Sequence, residues 1–155
     1  MCIRDRREAY FASYAKSVQA RAKMPLLVTG GFRTRAAMDE ALEAGEADLI
    51  GLGRPLCADP DTPGKLLSGE MTTAPAWEQT LRLGPTRFLG PNSPIALIKG
   101  MNGWGQQGWF CEQLRRMGNS QEPDLTLGVF KALRLYQGQE GKAAKAYHAA
   151  LEDGI

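Results

Sequence analysis

The stretch that decides the fold runs from Leu26 to Asp61 and reads LLVTGGFRTRAAMDEALEAGEADLIGLGRPLCADPD. It begins with a short apolar run, Leu26–Val28, that predicts a strand and leads into the glycine pair Gly30–Gly31. From Thr34 to Glu43, apolar and charged residues recur at helical spacing, which predicts an amphipathic helix. A second strand is predicted for Ala47–Leu52. Strand, helix and strand in this order indicate a βαβ unit with parallel strands.

Both predicted strands run into glycine turns at their carboxyl ends, the edge at which α/β sheets and barrels bind ligands. The first turn contains Gly30 and Gly31, and the second contains Gly51 and Gly53, followed by Arg54. Glycine allows close approach of the backbone to an anion, and arginine offers a donor fork suited to phosphate. The start of the helix adds unpaired N–H groups nearby. The residues therefore predict a phosphate site, although on pattern alone the glycines could equally serve only as tight turns.

The segments TGGFRT and ADLIGLGRPLCADPD, with a helix between them, resemble the end of the barrel in the Old Yellow Enzyme family. The resemblance implies an FMN-dependent NAD(P)H:flavin oxidoreductase, or a 2,4-dienoyl-CoA reductase-like enzyme, with a (β/α)8 TIM barrel. In that family the loops after the seventh and eighth strands hold the FMN phosphate. The residues that the resemblance assigns to this cofactor are Gly30 and Gly31 after the seventh strand, Gly51 and Gly53 at the eighth, and Arg54.

The resemblance also implies which parts of the enzyme this chain is expected to lack. A (β/α)8 barrel needs about 250 residues, and the first recognisable strand here already resembles the seventh. The family's substrate-orienting histidine pair or His/Asn pair, and its proton-donating tyrosine, lie on earlier strands. We therefore expect an α/β chain that forms the last two β/α units of the barrel. It would hold the FMN phosphate, contain no catalytic residue and be inactive and poorly stable in isolation.

Two alternatives remain at this point. The FMN-dependent 2-hydroxy-acid oxidases share a Gly-Arg-Pro sequence, but their seventh strand usually ends in Asp-Gly-Gly. Thr29 in place of that aspartate, together with the ADPD that follows the arginine, favours the first family. The second alternative is a fragment that binds phosphate and does not catalyse. In the complete enzyme, FMN reduced by NAD(P)H would act on a small-molecule substrate of the enone or dienoyl type.

The composition excludes several other functions. The chain has 155 residues and a formal net charge of +2, which is too small to suggest a nucleic-acid or membrane partner. Its three cysteines, Cys2, Cys57 and Cys111, form no CxxC pair, so neither a disulfide framework nor a zinc site is indicated. The only histidine, His148, is expected on a helix surface. No apolar run approaches the roughly 18 residues of a membrane span, and the charged N-terminus does not resemble a signal sequence. A cytoplasmic location is therefore expected.

Three regions are predicted along the chain. Residues 1–7, MCIRDRR, are excluded as a non-native or disordered start, and residues 8–92 are assigned to the partial barrel, beginning with a helix over 8–23. Residues 93–155 are assigned to a helical C-terminal extension whose glycines are expected to separate helices over 109–117, 123–138 and 142–152. The role of the extension, the substrate, the choice between NADH and NADPH and the oligomeric state stay open, and a homo-oligomer is compatible with the resemblance.

Overall fold

The computed structural model describes residues 12–152, which fall into two compact units, one ending at Ala76 and one beginning at Trp77. The predicted start over 1–7, and Tyr10 and Phe11 of the predicted first helix, lie outside the described residues. The boundary expected at residue 92 concerns the extent of the barrel and stays a prediction.

Helix α1, Ala12–Gln19, opens the first unit and ends earlier than the predicted residue 23. The N–H groups of Arg21 and Ala22 both donate to the Val18 carbonyl at 2.9 Å, so the chain leaves the helix in a tight turn. Pro25 disfavours a helical conformation in the residue before it, which explains why the helix cannot continue to the strand.

The predicted βαβ unit is confirmed. It consists of β1 (Leu27–Thr29), α2 (Arg35–Glu43) and β2 (Leu49–Gly51), with the two strands parallel and Thr29 opposite Gly51. The structure is thus of the mixed α/β class.

Helix α2 begins and ends where its sequence predicts. The Oγ1 atom of Thr34 accepts the N–H of Ala37 at 3.3 Å and caps the first turn. The helix closes at Gly45, whose φ of 62° lies in the left-handed region that glycine adopts without strain.

A short 3₁₀ turn, Arg54–Cys57, follows β2 and leads into α3, Thr62–Ser68. Pro63 lies in the first turn of α3, where proline is favoured, and Gly69 closes the helix with a φ of 81°.

The core of the first unit lies on one face of the sheet. Phe32 is 1% exposed at its centre, directly after the glycine pair. The buried members of this core are Ala15, Val28, Phe32, Met38, Ala41, Ala47, Leu66 and Ala74. On the opposite face of the sheet, Leu27 and Leu49 are each 54% exposed.

The second unit contains a 3₁₀ turn, Trp77–Gln79, and two long helices, α4 (Ala96–Gly118) and α5 (Val129–Glu152). The expectation that glycines interrupt α4 is wrong. A Cβ at Gly108 would lie 2.9 Å from both the Ala132 carbonyl oxygen and the Tyr136 Cβ, so glycine there lets the two helices approach closely. Packing of α5 compensates for the poor helix propensity of glycine.

The expectations for α5 are also wrong. The helix runs through Gly138 and Gly141 without a break, and it begins at Val129 rather than at Pro123. The Gln113 side chain accepts the N–H of Asp124 at 2.7 Å and donates to its carbonyl at 3.0 Å, which holds this segment as a loop.

Buried amide side chains of α4 also fix the loop before it. Asn102 is fully buried; its Oδ1 accepts the Leu83 N–H at 2.9 Å and its Nδ2 donates to the Leu89 carbonyl at 3.1 Å. The loop over 83–89 therefore has a defined path without secondary structure of its own. Among the helices that the structure describes, none combines the length and apolar character of a membrane span.

Candidate functional site

The loops that follow β1 and β2 leave the sheet at the same edge. Because the strands are parallel and Thr29 lies opposite Gly51, the chain enters Gly30 beside the point at which it enters Leu52. The sheet thus brings the two predicted glycine turns to one edge of the first unit. The residues concerned are Gly30, Gly31, Gly51, Gly53 and Arg54.

The glycine pair after β1 has a backbone that other residues rarely adopt. Gly30 has a φ of 122° and Gly31 a φ of 78°. Side chains with a Cβ are strained at such angles, so glycine is required here by the path of the chain itself. Directly after the pair, the buried Phe32 anchors the loop in the core.

Gly51, at the end of β2, is required for a different reason. A Cβ at this position would overlap the Oγ1 of Thr29, and it would lie 2.8 Å from the Cδ2 of Leu27. The side chains of β1 therefore lie across the end of β2. The sequence predicts Gly51 as a cofactor contact. Its steric role becomes visible only from the register of the two strands.

Gly53 and Arg54 are the exposed part of the site. A Cβ at Gly53 would meet no atom within 4 Å, and its φ is −110°, so neither a steric contact nor a left-handed backbone requires glycine at this position. Arg54 is exposed at the start of the 3₁₀ turn, and the next residue, Pro55, is buried. The buried proline fixes the backbone from which the arginine side chain extends.

The negative charge nearest in sequence to this turn is balanced. The N–H of Asp59 donates to the Pro55 carbonyl at 3.0 Å, and the Lys65 ammonium donates to both Asp59 carboxylate oxygens at 3.0 and 2.9 Å. The hydrogen bond to Asp59 raises the pKa of Lys65, so this lysine stays charged. An anion that approaches Arg54 therefore meets no uncompensated charge from Asp59.

The start of α2 has fewer unpaired N–H donors than the sequence predicts. The Arg35 N–H donates to the Thr72 carbonyl at 2.9 Å, and the Ala37 N–H donates to Thr34. These two donors are already satisfied within the chain, so we assign the start of α2 no contact with phosphate.

A groove of about 420 Å³ lies beside the start of α2 and contains none of the five predicted residues. Its lining consists of Thr34, Arg35, Ala36, Asp39, Thr72 and Thr73. The Arg35 guanidinium donates to the Leu66 and Leu67 carbonyls at 3.0 and 3.3 Å, at the end of α3. This arginine therefore has a structural role.

Asp48, to which sequence analysis gave no role, fixes the start of both strands. Its carboxylate accepts the Leu26 N–H at 2.7 Å and the Gln19 side-chain amide at 2.6 Å. These hydrogen bonds, the backbone one first, lower the pKa of Asp48. In the sequence, the one sign of this role is that Asp48 directly precedes the apolar residues of β2.

We assign no catalytic or ligand-binding role to Cys57 or His148. The Cys57 thiol is half-buried and lies 3.8 Å from the Gly53 carbonyl. His148 is exposed and its ring packs 6.0 Å from that of Tyr147. Within residues 12–152, no group of three or more histidine, cysteine, aspartate or glutamate side chains could hold a metal ion.

Residues 4–72, which include both glycine turns and Arg54, match the family model of the NADH:flavin oxidoreductase / NADH oxidase family. Over these residues the chain belongs to this family. The match supports the Old Yellow Enzyme-like interpretation over the 2-hydroxy-acid oxidase alternative.

Curated relatives agree with the family. The chain is 42% identical over 60 residues to the NADH-dependent flavin oxidoreductase iccE of Talaromyces variabilis, a match covering 38% of the chain and 14% of the relative. It is 30% identical over 122 residues to the NADH-dependent flavin oxidoreductase nadA of Aspergillus parasiticus (78% and 23%). It is also 34% identical over 61 residues to a bilirubin reductase of Mediterraneibacter gnavus (39% and 10%).

The chain spans less than a quarter of the length of each of these family members. The match to nadA, at 122 residues, is longer than either compact unit and so includes parts of both. No solved structure matches the chain.

Proposed function

We propose that this chain holds the phosphate end of FMN in an NAD(P)H-dependent flavin oxidoreductase. In this proposal, residues 8–92 form the last two β/α units of a (β/α)8 barrel, and residues 93–155 form a helical extension. The observation that carries the proposal is the strand register, which sets Thr29 opposite Gly51 and so brings the two glycine turns to one edge.

Each of the five residues has a role in this site. Gly30 and Gly31 would present backbone N–H groups to the phosphate, because their positive φ angles turn the chain sharply at the end of β1. Gly51 and Gly53 would let the phosphate approach the second loop, and the Arg54 guanidinium would balance its charge. The observed features fit a dianion: open space at Gly53, an exposed arginine and a neighbouring carboxylate already paired with lysine.

Bound FMN would supply the redox chemistry by carrying hydride from NADH or NADPH to the activated C=C bond of a small-molecule substrate, such as an enone or a dienoyl thioester. The names of the relatives iccE and nadA, which specify NADH and flavin, support the cofactor part of this proposal. We assign no catalytic role to any residue of this chain, and we place the protein in the cytoplasm without a nucleic-acid or membrane partner.

The proposal is tested by titrating the purified chain and its R54A variant with FMN and following the quenching of flavin fluorescence. Loss of a charge-assisted hydrogen bond costs about 1.5–3 kcal/mol, so we expect R54A to weaken FMN binding about 10- to 150-fold. Binding of riboflavin, which has no phosphate, should be the same in both proteins.

A matched control removes an arginine at the other end of the sheet. Arg21 is exposed and lies in the segment that enters β1 from its amino end, so R21A should bind FMN like the wild type. The proposal fails if the wild-type chain shows no saturable FMN binding, or if R54A binds FMN as tightly as R21A. With NADH and an enone present, we expect binding without turnover.

A further inference from the structure

Thr29 places a hydroxyl group between the two glycine turns. It is the last residue of β1, it directly precedes Gly30, and it lies opposite Gly51. A Cβ at Gly51 would overlap the Thr29 Oγ1 and lie 3.0 Å from the Thr29 Cβ. The threonine side chain therefore extends over the end of β2, towards the residues that lead to Gly53 and Arg54.

The Thr29 hydroxyl is available to a ligand. Thr29 is exposed, and its hydroxyl has no hydrogen-bond partner among residues 12–152. The neighbouring side chains on the same face of the sheet, Leu27 and Leu49, are apolar. Thr29 is thus the polar side chain at the edge of an otherwise apolar face, next to the predicted phosphate.

We propose that Thr29 is a further phosphate-binding residue, whose hydroxyl donates a hydrogen bond to a phosphate oxygen of FMN. The inference rests on the function proposed above and adds a neutral hydroxyl donor, from the end of β1, to the backbone N–H groups and the Arg54 guanidinium. It also explains Gly51, because any larger residue there would displace the threonine from this position. A hydroxyl donor bound to a charged oxygen forms a stronger hydrogen bond than one bound to a neutral acceptor.

A pair of substitutions tests the hydroxyl. T29V keeps the branched shape of the side chain and removes the donor, whereas T29S keeps the donor and removes a methyl group. We expect T29V to weaken FMN binding about 10-fold or more, while T29S retains most of the affinity. Riboflavin affinity should be the same in the wild type, T29V and T29S.

A double-mutant cycle tests whether the effects of substitutions at Thr29 and Gly51 depend on each other. It does not rely on valine having the same shape as threonine. We expect G51A to weaken FMN binding in the presence of Thr29, because the new methyl group displaces the hydroxyl. T29A removes the clash with the hydroxyl, and the contact of the new methyl group with the Leu27 Cδ2 remains. G51A should therefore weaken FMN binding much less in T29A than in the wild type. Additive losses of affinity would contradict the assigned role of Gly51.

The outcomes separate this inference from the proposed function. If the wild-type chain does not bind FMN, both are overturned. If the wild type binds FMN and R54A weakens it, but T29V binds like the wild type, only the role of Thr29 is overturned. An equal loss of FMN and riboflavin affinity in T29V would exclude phosphate as the partner of the hydroxyl. The thermal unfolding of T29V without ligand should match that of the wild type, which excludes a folding defect.

Discussion

At the scale of single residues, the glycines of the first unit are required for different physical reasons. Gly30 and Gly31 are required by their positive φ angles, and Gly51 by the Thr29 side chain that lies across it. Gly53 has neither constraint, since a Cβ there would enter open space. The fold accounts for the first three, and we attribute Gly53 to the approach of a ligand.

The backbone requirement at Gly31 gives a prediction for stability. G31A places a Cβ at a φ of 78°, so we expect a loss of about 1–2 kcal/mol in the free energy of unfolding. Urea unfolding followed by circular dichroism measures the loss.

The control for G31A is G64A, within α3. A Cβ at Gly64 meets no atom within 4 Å, so alanine should stabilise the helix by up to about 1 kcal/mol. If the unfolding midpoint of G31A equals or exceeds that of the wild type, a side chain at position 31 does not strain the backbone.

At the scale of secondary structure elements, local signals predicted the first unit and failed in the second. The helix predicted over Thr34–Glu43 and the alternation of strand and helix are properties of short segments, and both are confirmed. In α4 glycine misled, because Gly105 and Gly108 are set by contact with another helix. A Cβ at Gly138 or Gly141 of α5 would meet no atom within 4 Å, and nothing in the structure explains glycine there. Sequence alone does not distinguish a glycine that ends a helix from one that lets a second helix approach.

Prediction of the candidate site from the sequence is limited in the same way. Arg54 and the glycines were candidates because glycine turns followed by an arginine are residue types suited to phosphate. Thr29 and Asp48 were not, because their roles depend on which residue lies opposite or alongside in space: Gly51 for the threonine, and the Leu26 N–H for the aspartate. The register of β1 and β2 supplies that information.

The contact between α4 and α5 gives a prediction with an internal control. A Cβ at Gly108 would lie 2.9 Å from the Ala132 carbonyl oxygen and the Tyr136 Cβ, whereas one at Gly103 meets no atom within 4 Å. We expect G108A to lower the free energy of unfolding by about 1–3 kcal/mol through overpacking. G103A, in the same helix, should raise it by up to about 1 kcal/mol.

The two variants are compared by denaturant unfolding under identical conditions. Because both replace glycine by alanine in one helix, the change in helix propensity cancels between them and the difference reports the helix contact. Equal effects of G103A and G108A would mean that α5 does not pack on Gly108 in solution.

At the scale of the whole molecule, charged groups in both units give a pH dependence of stability. In the first unit, hydrogen bonds from the Leu26 N–H and then Gln19 lower the pKa of Asp48. In the second, hydrogen bonds from Arg115 and then Gln139 lower the pKa of Glu112. A lowered pKa contributes stability above the group's ordinary value, and that contribution is lost as the pH falls through the folded value.

The opposite sign applies to Lys65, whose pKa is raised by Asp59. Its contribution is complete below its ordinary value of 10.5 and is lost as the pH rises beyond it. We therefore expect a plateau of stability around neutrality, with a decline below the ordinary carboxyl values of 3.8 for Asp48 and 4.5 for Glu112.

Urea unfolding over a series of pH values measures this profile. D48N and E112Q should each flatten the decline in acid, D48N through the first unit and E112Q through the second. A chain that becomes more stable on acidification, or an E112Q variant whose decline is as steep as that of the wild type, would contradict the assignment.

The outer part of α5 offers a practical opportunity. Beyond the contact of Gln139 with Glu112, residues 140–149 are exposed on every side of the helix. A tether attached at Ala144 would reach solvent without entering the packing of either unit. The chain can thus be immobilised on a sensor surface through an exposed position of its second unit, and the same coated chip can report the affinities of FMN and riboflavin side by side.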